Sequence, residues 1–208
     1  RFKDKIIYIK VTDMPDGDNP YVRENYQRNC ISKGLINSSD DDLIIISDLD
    51  EIPNPNQIKN FKKSMKFAVF KQMHFYYKIN LQSQINPYWF GSRICVKKYL
   101  KSPQWLRNLK FKKRPFWRLD KLRLNNIIEE GGWHFTYLGD EHHIRQKINS
   151  FCDRHFDVPE VTENISKNLD SGKDVLNRSH ISYRRVDLDD SFPQYIIDNQ
   201  EKYAHLIK

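Results

Sequence analysis

The chain has 208 residues and a formal net charge of +8 at pH 7, with 38% hydrophobic and 13% aromatic residues. This length suits a single domain with a sizeable core, and no apolar run is long enough to cross a membrane or to act as a secretory signal. Three cysteines without CxxC spacing argue against a zinc cluster and a disulfide framework, so we expect buried free thiols at Cys30, Cys95 and Cys152.

The first predicted elements are a strand and a helix. Residues 5–11, KIIYIKV, form a short apolar run typical of a strand, and turn formers are frequent in the residues that follow. Asn19 can then cap a helix that has Pro20 at its first position, and Gly34 can end it.

The second predicted strand ends in carboxylates. Residues 41–53 read DDLIIISDLDEIP, and the uninterrupted apolar run is typical of a central strand covered on both faces. A strand, a helix and a strand of these lengths predict a βαβ unit with two parallel strands. In open α/β sheets ligands bind beyond the carboxyl ends of such strands, and Asp48, Asp50 and Glu51 follow there.

The spacing of Asp48 and Asp50 favours a cation site. In an extended chain, side chains two positions apart point to the same side, where two carboxylates repel each other unless a cation joins them. A hard divalent ion prefers such oxygen ligands and completes its shell with water and substrate phosphates. The alternative is a pair of solvated carboxylates in a turn.

Two enzyme chemistries use an apolar strand that ends in a DxD motif. Phosphatases of the haloacid dehalogenase type use the first aspartate as a nucleophile, but they normally have Thr or Val where this chain has Ile52, and their DxD strand comes first in the fold. Nucleotide-sugar glycosyltransferases of the GT-A type use DxD to hold Mn2+ or Mg2+ against the donor diphosphate. The strand and helix predicted before residue 41 favour the second chemistry.

A third predicted strand has chemistry that suits a sugar acceptor. Residues 67–80, FAVFKQMHFYYKIN, alternate, so we predict that one face packs in the core while His74 and Tyr76 on the other face meet solvent or substrate. The predicted core face consists of Phe67, Val69, Met73, Phe75, Tyr77 and Ile79. Sugars present apolar ring faces and rims of hydroxyls. His74, Tyr76, Trp89 and Arg93 are therefore predicted acceptor contacts, with ordinary exposed strand residues as the alternative.

The excess of basic residues is concentrated between Val96 and Leu124, where they are interleaved with aromatic residues. Such a segment could bind RNA or an anionic glycan, leaving the DxD motif without a catalytic role. This alternative predicts metal-independent binding that weakens as salt is added. The commoner alternative is a solvated face whose aromatic residues belong to the core.

The chain resembles glycosyltransferase family 17, the β-1,4-mannosyl-glycoprotein 4-β-N-acetylglucosaminyltransferase-like proteins. The resemblance rests on ENYQRNCISKGL followed by DDDLIIISDLDEIP, and then, in the family's order, on WFGSRICVKKY, EEGGWHFTYLG, KINSF and FPQYIIDNQEKYAHLI. It implies an α/β, GT-A-like fold with a mainly parallel mixed sheet flanked by helices, forming one catalytic domain over residues 1–208. It also implies an inverting transfer of a sugar, most simply GlcNAc from UDP-GlcNAc, to a glycan acceptor.

The resemblance implies roles for further residues. Arg28 resembles an arginine that approaches the donor diphosphate, which its forked donors suit, although it could instead pair with Glu24 one turn earlier. With Asp48 also contacting the donor, His134 would be the third ligand of a Mn2+ or Mg2+ ion held by the two aspartates. The alternative is a hydrogen-bonded histidine beside Trp133, and Trp133 itself is a predicted acceptor contact.

An inverting transferase needs a base near the acceptor hydroxyl. We predict Glu51 in this role, with Asp50 as the other catalytic carboxylate. Asp140 and Glu141 are alternatives, although a carboxylate at a helix start also simply suits the helix dipole. We do not expect His142, His143 and His155 to form a metal set, because the adjacent pair cannot share one face of a helix.

Relatives in this family usually carry segments upstream of the point where this chain starts, at Arg1. We therefore expect a domain truncated at its N-terminus, and the missing strands would contribute to the binding of the nucleotide base. The predicted location is the cytoplasm for a bacterial or viral source, and the Golgi lumen for a eukaryotic source with an upstream anchor.

Overall fold

The computed structural model describes residues 2–17, 19–110, 126–150 and 154–208. The described strands are β1 (Leu43–Ile46), β2 (Glu51–Pro53), β3 (Phe67–Tyr76), β4 (Leu81–Ser83), β5 (Tyr88–Trp89), β6 (Arg93–Val96), β7 (Ile127–Thr136) and β8 (Tyr183–Arg185). The described α-helices are α1 (Pro20–Asn29), α2 (Pro103–Asn108), α3 (Glu141–Ser150), α4 (Pro159–Thr162), α5 (Ile165–Ser171) and α6 (Gln194–Ile197).

The chain forms two compact units. Unit 1 comprises Arg1–Ile46, Lys62–Val69 and Arg93–Asn126, and unit 2 comprises the remaining three segments, Ser47–Phe61, Phe70–Ser92 and Ile127–Lys208. The boundary falls inside β3, whose first three residues belong to unit 1. The single domain predicted from the sequence stays a prediction.

Unit 1 contains the predicted helix. The Asn19 side chain accepts a hydrogen bond from the amide of Tyr21 at 3.0 Å, and Pro20 is the first residue of α1, as the sequence predicted. The helix ends at Asn29 and continues as a 3-10 turn over Cys30–Leu35. Local capping chemistry was therefore sufficient to place the start of this element.

The strands of unit 1 are antiparallel. β1 pairs with β6, with Leu43 opposite Val96, and β6 pairs with the start of β3, with Cys95 opposite Phe67. Ile44 and Ile46 are buried here, as the apolar run predicted.

The first predicted strand is wrong. Residues 6–12 have no regular secondary structure, and Ile6, Ile7 and Tyr8 are 66%, 67% and 85% exposed. An apolar run forms a strand only where a neighbouring strand supplies hydrogen bonds, and within the described residues this segment pairs with none.

Unit 2 contains the rest of β3 with β2, β4, β5, β7 and β8. β2 runs antiparallel to β7, β3 pairs with β4, β5 and β7, and β4 pairs with β8. Alternation along β3 and β7 sends Phe75 and Phe135 to one face, in a core cluster with Phe192, and His74 and His134 to the other. Helix α3 packs its buried Ile144 and Ile148 into a second cluster.

The predicted fold class, a mainly parallel GT-A-like sheet, is wrong. Six strand pairs, β1–β6, β3–β6, β2–β7, β3–β4, β3–β5 and β4–β8, are antiparallel. The predicted βαβ unit required a first strand that does not form, and β1 takes its hydrogen bonds from β6 instead. Local patterns identify a strand but not its partner.

Three predictions concern residues that the structure describes only in part. Of the basic segment from Val96 to Leu124, residues 111–124 lie outside the described residues, as does Cys152. Cys30 and Cys95 are buried free thiols, as predicted. Among the described helices, none combines the length and apolar character needed to cross a membrane.

Candidate functional site

The candidate site lies on one face of the sheet of unit 2, which we call the site face. His74 of β3 and His134 of β7 lie on it, and the turn at residues 47–50 brings Asp50 beside them. Glu51 is the register partner of His134, and so the first residue of β2 also belongs to this face. The pairing of β2 with β7 therefore brings two separate sequence motifs, DLDEIP and GGWHF, together.

A buried carboxylate fixes the DxD turn. Glu51 is 4% exposed, and its Oε1 accepts a hydrogen bond from the Trp89 indole at 2.6 Å. Its Oε2 accepts from the Ser92 hydroxyl and from the Asp48 amide, both at 3.1 Å. Buried carboxylates need such donors, and these three bonds tie the turn to the segment that follows β5.

Gly91 makes room for this carboxylate. A Cβ atom at position 91 would overlap Glu51 Oε1 and Trp89 Nε1. The glycine in WFGSR is therefore required by the close approach of a side chain, and it belongs to the support of the site.

Asp50 is held by two nitrogen donors. Its Oδ2 accepts from Lys147 Nζ at 2.6 Å, and its Oδ1 lies 3.4 Å from His134 Nε2. Burial by itself raises the pKa of Asp50, but the hydrogen bonds from His134 and Lys147 outweigh it and hold this pKa well below its usual range. The second aspartate of the motif is consequently ionised.

The two histidines form an aromatic cluster with Trp89. The His134 ring stacks on His74 with centroids 4.7 Å apart and on Trp89 at 4.8 Å. Burial, followed by the charge of His134, lowers the pKa of His74 to about 3, and so His74 is neutral. Nε2 of His74 and Nδ1 of His134 are buried and have no hydrogen-bond partner among the described residues. Unpaired buried nitrogens of this kind are costly unless a ligand satisfies them.

Lys147 is a site residue that the sequence interpretation missed. It projects from α3, donates to Asp50 and to the Thr136 hydroxyl at 3.3 Å, and lies over the Tyr137 ring at 4.8 Å. A signal was present, because Lys147 falls between the buried Ile144 and Ile148 in the KINSF segment, beside the helix face that points inward.

A second basic group, Arg178, was also missed. Its guanidinium lies 5.2 Å from the Tyr76 ring and forms two hydrogen bonds to the buried Asp174. The Tyr76 ring in turn lies 4.5 Å from His74. This part of the site face is therefore bordered by an arginine that is itself neutralised by a carboxylate.

Not every predicted residue lies on the site face. The Trp133 indole is packed in the core on the opposite face, where it donates to the Ser191 carbonyl at 2.9 Å. Asp48, Asp50, Glu51, His74, Tyr76, Trp89 and His134 belong to unit 2. Of these residues, Asp50, His74, Tyr76, Trp89 and His134 form one connected set through the ion pair and the ring contacts, which include a His74–Trp89 contact with centroids 5.5 Å apart.

Arg28 and Arg93 belong to unit 1. Arg28 pairs with Glu24 at 2.6 Å, the alternative foreseen from the sequence, and also donates to Gln104 at 2.5 Å. Arg93 is buried in β6 and donates to the Leu109 carbonyl at 3.5 Å. Their proposed roles in donor and acceptor binding stay predictions.

The side chains on the site face include types that bind a divalent metal, but their ligand atoms do not surround a common position. Carboxylate oxygens and an imidazole are ligands that Mn2+ accepts. The ligand atoms of Asp48, Asp50 and His134 are not all within 4.8 Å of one another, whereas in the described part of the chain those of the exposed Asp140, His142 and His143 are. The Lys147 ammonium is bonded to Oδ2 of Asp50, an oxygen that could otherwise bind a metal ion.

The comparisons with known proteins identify the family. No curated protein and no solved structure shows significant similarity to the chain. The model of the family described as glycosyltransferase family 17 matches residues 1–208. Because this match spans all of the residues, the chain belongs to glycosyltransferase family 17 and is a glycosyltransferase that acts on a sugar donor and an acceptor.

Proposed function

We propose that this chain transfers GlcNAc from UDP-GlcNAc to a hydroxyl of a glycan acceptor, with inversion, on the site face of unit 2. The observation that carries the proposal is the convergence of Asp50 with His134 and Lys147 at the end of the DxD turn. Family membership favours this chemistry over the two alternatives, an RNA-binding or anionic-glycan-binding module and a DxD phosphatase.

The charges at Asp50 suit a diphosphate-bearing donor. Asp48, Asp50 and His134 would hold a Mn2+ or Mg2+ ion, which would neutralise charge on the departing nucleoside diphosphate. Lys147, when displaced from Asp50, is an ammonium group within reach of the same place and can donate to phosphate oxygens. The lysine and the ion are thus competitors for one carboxylate oxygen.

Glu51 has a positioning role in this proposal. The hydrogen bonds from the Trp89 indole, the Ser92 hydroxyl and the Asp48 amide hold its carboxylate in the DxD turn. The prediction that Glu51 is the base for the acceptor hydroxyl is untested. Asp140 already accepts from His143 at 2.7 Å, and Glu141 pairs with Arg145 at 2.8 Å.

The neutral aromatic part of the site face suits the acceptor. Trp89 is 39% exposed, Tyr76 is half-buried, and His74 is held neutral with an unpaired ring nitrogen. Aromatic faces pack on the C–H faces of sugars, and the imidazole can hydrogen-bond to a hydroxyl. We propose these three residues as acceptor contacts.

The test is ligand-dependent thermal stabilisation. We expect UDP and UDP-GlcNAc to raise the unfolding midpoint only in the presence of Mn2+, since ion and diphosphate should strengthen each other's binding. At a ligand concentration about 100 times Kd, the stabilisation is about 2.7 kcal/mol. Asp50→Asn should abolish it, while the exposed Asp42→Asn should retain it.

The outcomes separate the possibilities clearly. Stabilisation by UDP with Mn2+ that is lost only in Asp50→Asn, followed by UDP release when a glycan acceptor is added, supports the proposal. Equal stabilisation of the wild type and Asp50→Asn would place the nucleotide elsewhere. The absence of any stabilisation of the wild type would contradict the proposed donor for this chain.

A further inference from the structure

A second concave surface lies on the opposite face of the same strands. It is a cavity of about 560 Å³ within unit 2, lined by β2, β3, β5, β7 and the segment from Asp190 to Tyr195. Ile52 and Trp133 are register partners and both line it, whereas their chain neighbours Glu51 and His134 point to the site face. The β2–β7 pair therefore separates this cavity, which we call the rear groove, from Asp50.

The rear groove combines exposed aromatic rings with hydrogen-bonding groups. Tyr88 is 47% exposed and Tyr195 is 57% exposed, and both line it. Asn54, Asn56 and Gln194 also line it, and the Asn54 and Gln194 amides donate to the Glu130 carbonyl at 3.2 Å and to Asp198 at 2.8 Å. A volume of this size, with apolar surface and a few polar groups, is typical of a small-molecule site.

The charge of the rear groove is opposite to that of the whole chain. Its lining contains the carboxylates of Glu129, Glu130 and Asp190, and among the described lining residues Lys71 is the only cation. Lys71 pairs with Glu129 at 2.8 Å and lies 4.4 Å from the centre of the Tyr88 ring, so its charge is already compensated. A phosphorylated or sulfated ligand would be repelled here, even though the chain carries a net charge of +8.

We infer that the rear groove is a second binding site for a neutral oligosaccharide. Sugar C–H faces pack on exposed tyrosine rings, and sugar hydroxyls donate to carboxylates and accept from amides, so each component of the lining has a counterpart in such a ligand. A nucleotide sugar does not fit the charge, and under the proposed function the donor binds at Asp50, on the other side of the β2–β7 pair. The site would hold a glycan on the enzyme independently of Asp50, and it does not depend on the identity of the donor.

Binding of three uncharged trisaccharides, mannotriose, triacetylchitotriose and maltotriose, tests the inference by saturation-transfer NMR and calorimetry without UDP or Mn2+. We expect at least one to bind the wild type with millimolar affinity. Tyr195→Ala and Tyr88→Ala should each weaken binding by about tenfold, because each removes one stacking face. Tyr195→Phe, which keeps the ring, should retain it.

Two matched controls locate the sugar. Tyr21→Ala removes a similarly exposed tyrosine, 52% exposed, from unit 1, and Asp50→Asn alters the site face. Both should bind the trisaccharide like the wild type. The inference is overturned if no trisaccharide binds the wild type, or if Tyr88→Ala and Tyr195→Ala both bind the sugar like the wild type, which would place the sugar outside the rear groove.

Discussion

Gly91 is the residue that most directly controls the shape of the DxD turn. Its lack of a side chain lets the Glu51 carboxylate reach the Trp89 indole. We expect Gly91→Ala to push this buried carboxylate out of its hydrogen bonds and to lower the free energy of unfolding by about 1–3 kcal/mol, which is typical of overpacking. Chemical denaturation monitored by circular dichroism measures this change.

The matched control for Gly91 is Gly34. A Cβ at position 34 would meet Ile9 at 3.4 Å, an ordinary contact, and so Gly34→Ala should change stability by less than about 1 kcal/mol. We also expect Gly91→Ala, but not Gly34→Ala, to lose stabilisation by UDP and Mn2+. Equal behaviour of the two variants would show that the close approach of Glu51 has no functional consequence.

Lys147 should weaken metal binding in the absence of donor. Because its ammonium holds Asp50 at 2.6 Å, a divalent ion has to displace it. We expect Lys147→Gln to bind Mn2+ about three- to tenfold more tightly at neutral pH, which corresponds to one partly buried ion pair. Calorimetric titration with MnCl2 measures this effect, and the exposed Lys167→Gln serves as the control. Unchanged or weaker Mn2+ binding would show that the lysine and the ion do not compete.

At the residue scale, the sequence pointed to the carboxylate of Asp50 but not to Lys147, the residue that pairs with it. The DxD motif and the GGWHF segment suggested Asp50 and His134, which the structure brings within 3.4 Å. Lys147 was missed because a lysine in an amphipathic helix normally points to solvent. Trp133 lies in the core on the face opposite His134, which could not be seen from the sequence because the face of a strand residue depends on the register of its strand. Its predicted role as an acceptor contact stays a prediction.

At the scale of elements, a buried polar network anchors the segment after α5 to the end of β3. Asp174, with 3% of its side chain exposed, accepts from Arg178, from the Tyr77 hydroxyl at 2.9 Å and from the Tyr183 hydroxyl. Asp174→Asn removes the negative charge beside Arg178 and replaces one of the two acceptor oxygens with an NH2 donor. We expect Asp174→Asn to lower the free energy of unfolding by about 3 kcal/mol. Urea denaturation checks this value, with the exposed Asp170→Asn expected to behave like the wild type.

The same network should contribute to acid sensitivity. Burial raises the pKa of Asp174, but the hydrogen bonds from Arg178 and Tyr183 outweigh it and lower the pKa below its ordinary value of 3.8. The unfolded chain therefore takes up this proton at a higher pH than the folded chain. The stabilisation is complete above the ordinary pKa and is lost as the pH falls through the folded pKa.

We expect the stability of the wild type to decrease below about pH 4, and this decrease to be shallower in Asp174→Asn. Urea denaturation at a series of acidic pH values, compared with Asp170→Asn, measures the difference in slope. Parallel curves for all three proteins would show that Asp174 contributes nothing to the acid transition.

Helices and strands whose limits are marked by local residues were predicted correctly. The pairing of strands that lie far apart in the sequence was not. The cap at Asn19 and Pro20 fixed the start of α1, and the apolar run fixed β1. The strand predicted over residues 5–11 failed because nothing in its own sequence shows whether a partner exists. The antiparallel direction of β1 depends on β6, which follows much later in the chain.

At the scale of the whole molecule, the path of the chain predicts cooperative unfolding. The backbone passes between unit 1 and unit 2 at five points, between residues 46 and 47, 61 and 62, 69 and 70, 92 and 93, and 126 and 127. One of these points lies inside β3. Neither unit is a continuous piece of chain, so we expect one transition in which both units unfold together.

Hydrogen exchange can test this cooperativity. Asp174→Asn, a substitution in unit 2, should accelerate exchange of the β1 and β6 amides of unit 1 as much as it lowers global stability. Mass spectrometry of peptides covering these strands, with Asp170→Asn as the control, measures the effect. If the exchange rates of the β1 and β6 amides are the same in Asp174→Asn and in the wild type, the two units unfold independently.

The environment of Trp89 has an optical consequence. Its indole donates to Glu51 while its ring stacks on His134, so its fluorescence depends on the charge of one neighbour and on the position of the other. An ion or a nucleotide that draws His134 away from the ring should brighten or shift this emission. Trp89 thus gives the enzyme an intrinsic reporter, by which donor binding can be followed in stopped-flow experiments without any added label.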